Sequence, residues 1–461
     1  MLVGSVISHL IKTTKNAATI KNRKTRLEET MPARVALVTY GCTMNQSDSD
    51  IIRHELLKAG FELSEVGDAE VVVLNSCGVV EFTERKILET ANRLKKEGKK
   101  VVIAGCLPRI SSRKVREIAD SAIGPDNLLE IVRAVKSALA GEKYFSISKT
   151  GLEKSKLGKC RLWRDSSGAK AGIAIVSIAE GCVGRCTFCV TRFARGRLRS
   201  FSMESIVEEV ERAVRQGFVE IQITSQDTGA YGLDRGNYKL PELLEKICRI
   251  EGEFRVRVGM MNPRHAYEML DDLLNAFSSE KVYKFIHIPV QSGDERILKA
   301  MGRNHGVEEY LEVVSAFRRE FDQRDSMVST DIIAGFPGES EESYWKTLDV
   351  IRESKPDLVN VTRFSPRKGT PAYRMKDMPD WIKKDRSRAI TRLAERIKER
   401  RNERLVGRKF RAMVTKKYGD RVLARLDSYR AVRIEEDFEI GDVTKVRVAS
   451  FTPTHLLGVV E

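Results

Sequence analysis

Three cysteines fall within eight residues of the stretch Glu180-Gly-Cys-Val-Gly-Arg-Cys-Thr-Phe-Cys189, placing thiols at Cys182, Cys186 and Cys189 with gaps of three and two residues. Thiolates are the ligands of iron–sulfur clusters, and three from one loop can hold three irons of a cubane, leaving the fourth open to a small ligand. A structural zinc site, a disulfide pair and coincidence are the competing readings. Zinc normally takes four Cys or His ligands, and neither a histidine nor a fourth cysteine lies close by.

A second set is spread through the N-terminal third. Cys42, Cys77 and Cys106 each sit just past a short apolar run: Val35-Ala-Leu-Val38, Val71-Val-Val-Leu74 and Val101-Val-Ile-Ala104. Such runs read as strands of a parallel sheet covered on both faces. In open α/β sheets, ligands bind at the carboxyl ends of the strands. Three cysteines after three successive strands therefore converge on one point, and they read as a second three-thiolate cluster site, with three unrelated core thiols as the alternative. Cys160 and Cys248 have no partner pattern and read as structural thiols.

The elements that must position these groups alternate strand and helix. In the N-terminal part, helices are expected near Asp48–Ala59 and Glu81–Lys96. After a polar connector, a second βα series begins at Gly172, with strands expected at Ile173–Ile178, Glu220–Thr224, Arg255–Met260, Phe285–Val290, Val328–Gly335 and Leu358–Phe364. Helices such as Met203–Gln216 and Glu308–Phe321 separate them. Six such units predict an incomplete parallel barrel, and the Cys182 loop, following its first strand, falls at the C-terminal mouth where barrels place their chemistry. Residues 381–406 read as a basic amphipathic helix with Ile390, Leu393, Ile397 and Leu405 as its stripe. Past Gly407, short strands between Gly and Asp predict a small antiparallel β-barrel. The expected fold class is therefore α/β: an N-terminal open parallel α/β domain over 31–142, a linker over 143–170, a partial (β/α)6 barrel over 171–400, and a C-terminal β-barrel over 401–461. Residues 1–30 read as a basic, disordered extension. An RNA-contacting arm, an organelle leader and a natural start at Met31 are alternative readings of it.

The chain has 461 residues, 32% charged and 41% hydrophobic, which is ordinary for a protein with sizeable cores. No apolar run approaches the roughly 20 residues of a membrane span, and no secretory signal is evident. A cytoplasmic location is expected, where thiols are more often metal-binding or catalytic than disulfide-bonded. The net charge of +16 is concentrated at the ends: residues 381–461 hold 21 Lys/Arg against 12 Asp/Glu, and residues 1–30 hold six against two. A basic C-terminal segment on a near-neutral body points to an anionic partner, nucleic acid first.

The ordered series Thr39-Tyr-Gly-Cys-Thr-Met-Asn-Gln46, Leu74-Asn-Ser-Cys77, Gly105-Cys106, the Cys182 loop, Arg195-Gly-Arg-Leu-Arg-Ser200, Pro289-Val-Gln-Ser-Gly293, Lys299-Ala-Met301, Thr330-Asp-Ile-Ile-Ala-Gly-Phe-Pro-Gly-Glu339 and Lys368-Gly-Thr-Pro371 resembles the radical S-adenosylmethionine (SAM) methylthiotransferase family, over roughly residues 33–461. Gly259-Met-Met-Asn-Pro263 and Arg363-Phe-Ser-Pro-Arg-Lys-Gly-Thr370 resemble its archaeal and eukaryotic branch, which acts on threonylcarbamoyladenosine in tRNA.

The resemblance implies two [4Fe–4S] clusters and SAM as cofactors, a C-terminal TRAM domain that holds RNA, and a tRNA anticodon loop as partner, with external electron and sulfur donors. It implies that Cys182, Cys186 and Cys189 hold the cluster whose open iron chelates SAM and generates a 5′-deoxyadenosyl radical. Cys42, Cys77 and Cys106 then hold the cluster that carries the inserted sulfur. The six cysteines are the expected catalytic and metal-binding residues, and SAM contacts fall on Thr224, Ser225, Gln226, Gln291, Ser292, Gly335 and Glu339. Thr224-Ser-Gln226 departs from the Gly-Gly-Glu of many radical-SAM enzymes. Arg192, Arg195, Arg197 and Arg199 could meet RNA phosphates or form internal ion pairs. Alternative functions are methylthiolation of N6-isopentenyladenosine 37, methylthiolation of a ribosomal-protein aspartate, and non-catalytic RNA binding.

Overall fold

The computed structural model of the chain describes residues 32–149, 172–419 and 421–461. The N-terminal basic segment and Cys160 lie outside the described residues.

Strands β1 (Arg34–Thr39), β2 (Glu62–Leu63), β3 (Val71–Ser76), β4 (Lys100–Gly105), β5 (Ser121–Ile123) and β6 (Tyr144–Ser146) form one parallel sheet in the order β2-β1-β3-β4-β5-β6. Alternate residues of each strand feed opposite faces. Val71, Val73 and Val102 pack in one core layer, whereas Val72, Leu74, Val101 and Ile103 pack in the other. That two-sided burial is why these strands are apolar runs rather than alternating patterns. The Glu81–Lys96 helix presents Ile87, Ala91 and Leu94 to the sheet. It carries Glu81 and Glu84 in its first turn and Arg93, Lys95 and Lys96 in its last, in the sense the helix dipole favours. Strands β2, β5 and β6 have only two or three residues, too few to show a period in sequence.

The centre holds β7 (Ile173–Ser177), a short hairpin of β8 (Ala179–Glu180) and β9 (Arg199–Ser200), then β10 (Glu220–Thr224), β11 (Arg255–Val258), β12 (Phe285–His287), β13 (Met327–Ala334) and β14 (Leu358–Arg363). The six long-range strands form two parallel sheets, β7-β10-β11 and β12-β13-β14, linked by a single parallel bridge between Val256 and Val282. Among the described residues β14 does not pair with β7, so the barrel is open on that side. Helices on the outside are capped by Ser202, Asp294 and Ser340, each accepting a backbone N–H of the first turn.

Strands β15 (Lys409–Tyr418), β16 (Arg421–Leu426), β17 (Ala431–Ile434), β18 (Val443–Phe451) and β19 (Leu456–Val460) close into a barrel in the order β15-β16-β17-β19-β18. Four pairings are antiparallel, but β17 and β19 run parallel. The departure from a wholly antiparallel barrel is forced, because directions cannot alternate all the way round a closed ring of five strands.

The Asp380–Glu403 helix ties the barrels together. Ile390 is buried, Leu393 and Ile397 pack on the central core, and Leu405 joins the C-terminal core. Its inward cations are buried too, so it is more than a solvated charged face. Arg401 meets Asp357 at 2.6 Å, beside Arg318 at 2.7 Å, and Arg430 of the C-terminal barrel meets Asp325 at 2.9 Å. Burial alone would raise the Asp357 carboxyl, but Arg430, Arg318 and Arg401 outweigh it and hold it well below the usual range. The Tyr429 ring packs 5.0 Å from those of Tyr283 and Phe285, seating the small barrel on the base of the large one.

Candidate active site between two cysteine triads

Cys77 and Cys106 follow β3 and β4 directly, and Cys42 is the N-cap of the Thr43–Lys58 helix just past β1. These three strands are neighbours in the sheet. Adjacent strands lie about 4.8 Å apart, so their ends deliver the three thiols to one side of one sheet. The helix starts five residues before the Asp48 expected from sequence, because the polar Asn45 and Ser47 carry no apolar period. Both are buried, and Asn45 donates to the Ser76 carbonyl at 2.9 Å, locking the Cys42 loop to the Cys77 loop. Gly41, at φ +107°, permits this approach; a Cβ there would stand 2.5 Å from that of Cys77.

The second triad follows β7. Gly184 N donates to Cys182 Sγ at 3.2 Å, and Arg303 approaches Cys186 Sγ at 3.5 Å. A Cβ on Gly184 would lie 3.3 Å from Cys182 Sγ and 3.8 Å from Cys186 Sγ, in the space the sulfurs surround. Burial pushes the Cys182 thiol up to about 12, and the Asp227 charge and the other two thiols push the same way. Burial likewise takes Cys106 up to about 12 and raises Cys77. A thiol must lose its proton to bind metal, and burial here disfavours the bare thiolate. Among the described residues no three His, Cys, Asp or Glu side chains close round a single metal ion. Each triad offers thiols alone as donors, the ligand type of an iron–sulfur cluster.

A cavity of about 370 Å³ lies between Cys189 and the loop that follows Cys77. Val79 and Val80 line it from the loop after Cys77, and Cys189 and Phe188 from the other triad. Gln291, His287, Asp331, Asn360, Arg363 and Arg367 come from the barrel. Asp331 accepts from Asn360 at 2.8 Å and bonds His287 at 2.8 Å. Burial would raise its carboxyl, but the His287 bond prevails and holds it low. Arg367 donates to the Gly78 carbonyl at 2.8 Å and pairs with Glu84, so the barrel grips the Cys77 loop directly.

Of the residues expected to meet SAM, the structure brings only Gln291 to this cavity. Gln291 has φ +73° and pairs on both sides with β13, through the Asp331 carbonyl and the Ile333 amide. Gln226 accepts from Gly181 N at 2.6 Å, beside Cys182. Ser225 and Ser292 are buried and cap their own turns by accepting from Asp227 N and Asp294 N, and Thr224 is buried at the end of β10. Gly335 and Glu339 face elsewhere. The Glu339 carboxylate accepts from Gly335 N at 2.7 Å and from Arg386 at 2.8 Å, which fastens the turn after β13 to the Asp380–Glu403 helix.

Arg195 was open to either reading in sequence, and the structure gives it an internal role. Its guanidinium, wholly buried, meets Asp48 and Glu180 at 2.8 Å each and donates to Cys106 Sγ at 3.2 Å. Arg199 pairs with Asp126 at 3.0 Å, while Arg192 and Arg197 are exposed. Sequence reasoning did not find His287, Asp331, Asn360 or Arg303. Polar residues on or after barrel strands were the only signal available.

His305 holds the loop that carries Gln291. Its ring nitrogens lie 3.2 Å from the Asn262 side-chain oxygen and 3.2 Å from the Val290 carbonyl. Burial, and then the Arg303 charge, drive it from 6.5 down to about 3. The unfolded chain therefore takes up a proton below about pH 6.5 that the folded chain refuses, so this contribution to stability is complete above that pH and is lost towards pH 3. Thermal midpoints measured from neutral pH downward should fall more steeply for the wild type than for His305→Gln. Parallel profiles would refute this.

Comparison with known proteins is consistent with this arrangement. Residues 176–351 match the Radical SAM superfamily and residues 34–124 match the uncharacterized protein family UPF0004. An Archaeoglobus fulgidus protein named "Probable threonylcarbamoyladenosine tRNA methylthiotransferase" is 58% identical over 92% of this chain and 98% of its own length. The chain belongs to the threonylcarbamoyladenosine tRNA methylthiotransferase family. Other members are a Pyrococcus horikoshii protein, 41% identical over 92% of this chain and 99% of its own, and a human one, 33% identical over 79% and 63%. Among solved structures, the radical SAM methyltransferase TsrM of Kitasatospora setae, with cobalamin and a [4Fe-4S] cluster bound, superposes with TM-score 0.52 at 15% identity, over 74% of this chain and 77% of its own, a likeness of fold. No helix among the described residues of this methylthiotransferase-family chain is long and apolar enough to cross a membrane.

Proposed function

We propose that the protein inserts sulfur and a methyl group at C2 of N6-threonylcarbamoyladenosine 37 in tRNA, in the cytoplasm, with the anticodon loop as its partner and external donors of electrons and sulfur. The observation that carries the reading is a cavity bordered by Cys189 on one side and by the loop after Cys77 on the other. Cys182, Cys186 and Cys189 would hold one [4Fe–4S] cluster and Cys42, Cys77 and Cys106 the other. When bound, these groups supply SAM-derived radical chemistry at one triad and sulfur at the other.

The chain's own residues do the rest. Arg367 and Arg195 fix the N-terminal domain against the barrel, which keeps the Cys77 loop beside the cavity that Cys189 lines. Phe188, Val79, Val80 and Phe364 supply an apolar lining that keeps water from a reactive intermediate. His287, Asp331 and Asn360 offer a fixed polar edge for a base or its substituent. No side chain is needed as a conventional general acid or base.

The test is anaerobic turnover of reconstituted protein with SAM, reductant and tRNA, followed by nucleoside mass analysis. A methylthio mass gain on threonylcarbamoyladenosine is expected. If that nucleoside is untouched while another base or a protein gains the mass, the reading is wrong.

A further inference from the structure

Segment 361–374 borders three concavities in succession. Its first residues form a groove of about 380 Å³ with the Asp380–Glu403 helix, the middle lines the cavity beside Cys189, and Lys368, Tyr373 and Arg374 line a third hollow of about 600 Å³. Arg363 belongs to both the groove and the cavity.

The groove gathers cations that have no ion pair among the described residues. The buried cations of the helix's inward face are paired: Lys383 with Asp377 and Asp380, Arg386 with Glu339 and Glu341, Arg401 with Asp322 and Asp357. Arg388 and Arg392, on the groove, are exposed and have no ion pair or hydrogen bond among the described residues. Arg363 feels Asp380 only at longer range, and Asp380 is bound to Lys383 at 2.9 Å. The Ser387 and Thr391 hydroxyls are turned to helix carbonyls, so the groove's donors are guanidinium groups. Three uncompensated guanidinium groups round one hollow repel each other and match a ligand of repeated negative charge. Arg388 and Arg392 lie one turn apart, about 6 Å along the helix.

Resting on the functional reading above, we propose that this groove binds the phosphodiesters of the RNA strand beside the target adenosine. A base can enter the cavity only if its own backbone lies across the mouth, and Arg363 stands there. On the far side the half-exposed Tyr373 ring, between Lys368 and Arg374, offers a stacking surface of the kind that unpaired bases use.

The experiment is tRNA binding by fluorescence anisotropy over a series of salt concentrations. It uses the reconstituted full chain, the groove variant Arg388→Glu with Arg392→Glu, and a control of equal charge change elsewhere on the barrel, Arg215→Glu with Arg249→Glu. The groove variant is expected to bind on the order of tenfold more weakly or worse, with a salt dependence shallower by about one unit of log–log slope per lost phosphate contact. Groove and control variants weakened alike would overturn the proposal, because net charge alone would then account for the loss. So would wild-type affinity and slope in the groove variant while the wild type converts threonylcarbamoyladenosine, and in that case the functional reading would survive. A wild type that neither binds nor modifies tRNA would overturn both.

Discussion

Changing Cys42 to alanine is expected to end methylthio transfer while leaving SAM cleavage measurable, whereas Cys182→Ala ends both. The asymmetry follows from position. Cys42 stands at the carboxyl edge of the N-terminal sheet, while Cys182 follows the first strand of the barrel, at the mouth where that fold gathers its reactive groups. Cys42 is also the cleanest of its triad to alter. It is exposed and makes no side-chain cap bond, while Cys77 and Cys106 are buried. Each variant should lose about half of the reconstituted iron, as expected when one of two three-thiolate sites is broken. Product and 5′-deoxyadenosine measured in the same anaerobic reaction decide it. A Cys42→Ala protein that no longer cleaves SAM, beside a Cys182→Ala protein that still does, would exchange the roles given to the two triads.

Arg195→Met is expected to cost about 3–5 kcal/mol, the usual penalty for removing one partner from a buried ion pair. The methionine fills much of the space but leaves Asp48, Glu180 and the Cys106 sulfur without the cation that now lies among them. Because Asp48 lies on the Thr43–Lys58 helix of the N-terminal domain and Arg195 belongs to the barrel, the loss should fall on the docking of the two. Lysine should rescue poorly, since a point charge cannot serve three partners in the plane of one guanidinium. Thermal unfolding with limited proteolysis checks this. A variant with wild-type midpoint and no new cleavage between residues 124 and 176 would show that the contact does not hold the halves together.

The placement of the six cysteines was legible, three in one loop after the first barrel strand and three past the ends of neighbouring strands of one sheet. The long strands were legible because two-sided burial leaves a run such as Val71-Val-Val-Leu74. What sequence hid was whatever depends on contacts between distant segments. Arg195 sits in a row of arginines with nothing to mark it as the buried one; its partners are over a hundred residues away at Asp48 and adjacent to its own loop at Glu180. Glu339 is an expected cofactor contact only through the family resemblance, and nothing in its own turn marks the partner it has, Arg386 of a helix 47 residues on. The parallel β17–β19 pairing was invisible because it comes from ring closure, not from either strand.

The measurement that bears most directly on two triads serving one base is substrate choice. Anticodon stem-loops identical except at position 37, carrying threonylcarbamoyladenosine, isopentenyladenosine or unmodified adenosine, should be given to the reconstituted protein together. Methylthiolation of the threonylcarbamoyl form, with the other two left unchanged, is the expected result. Equal or preferred conversion of the isopentenyl form would contradict it.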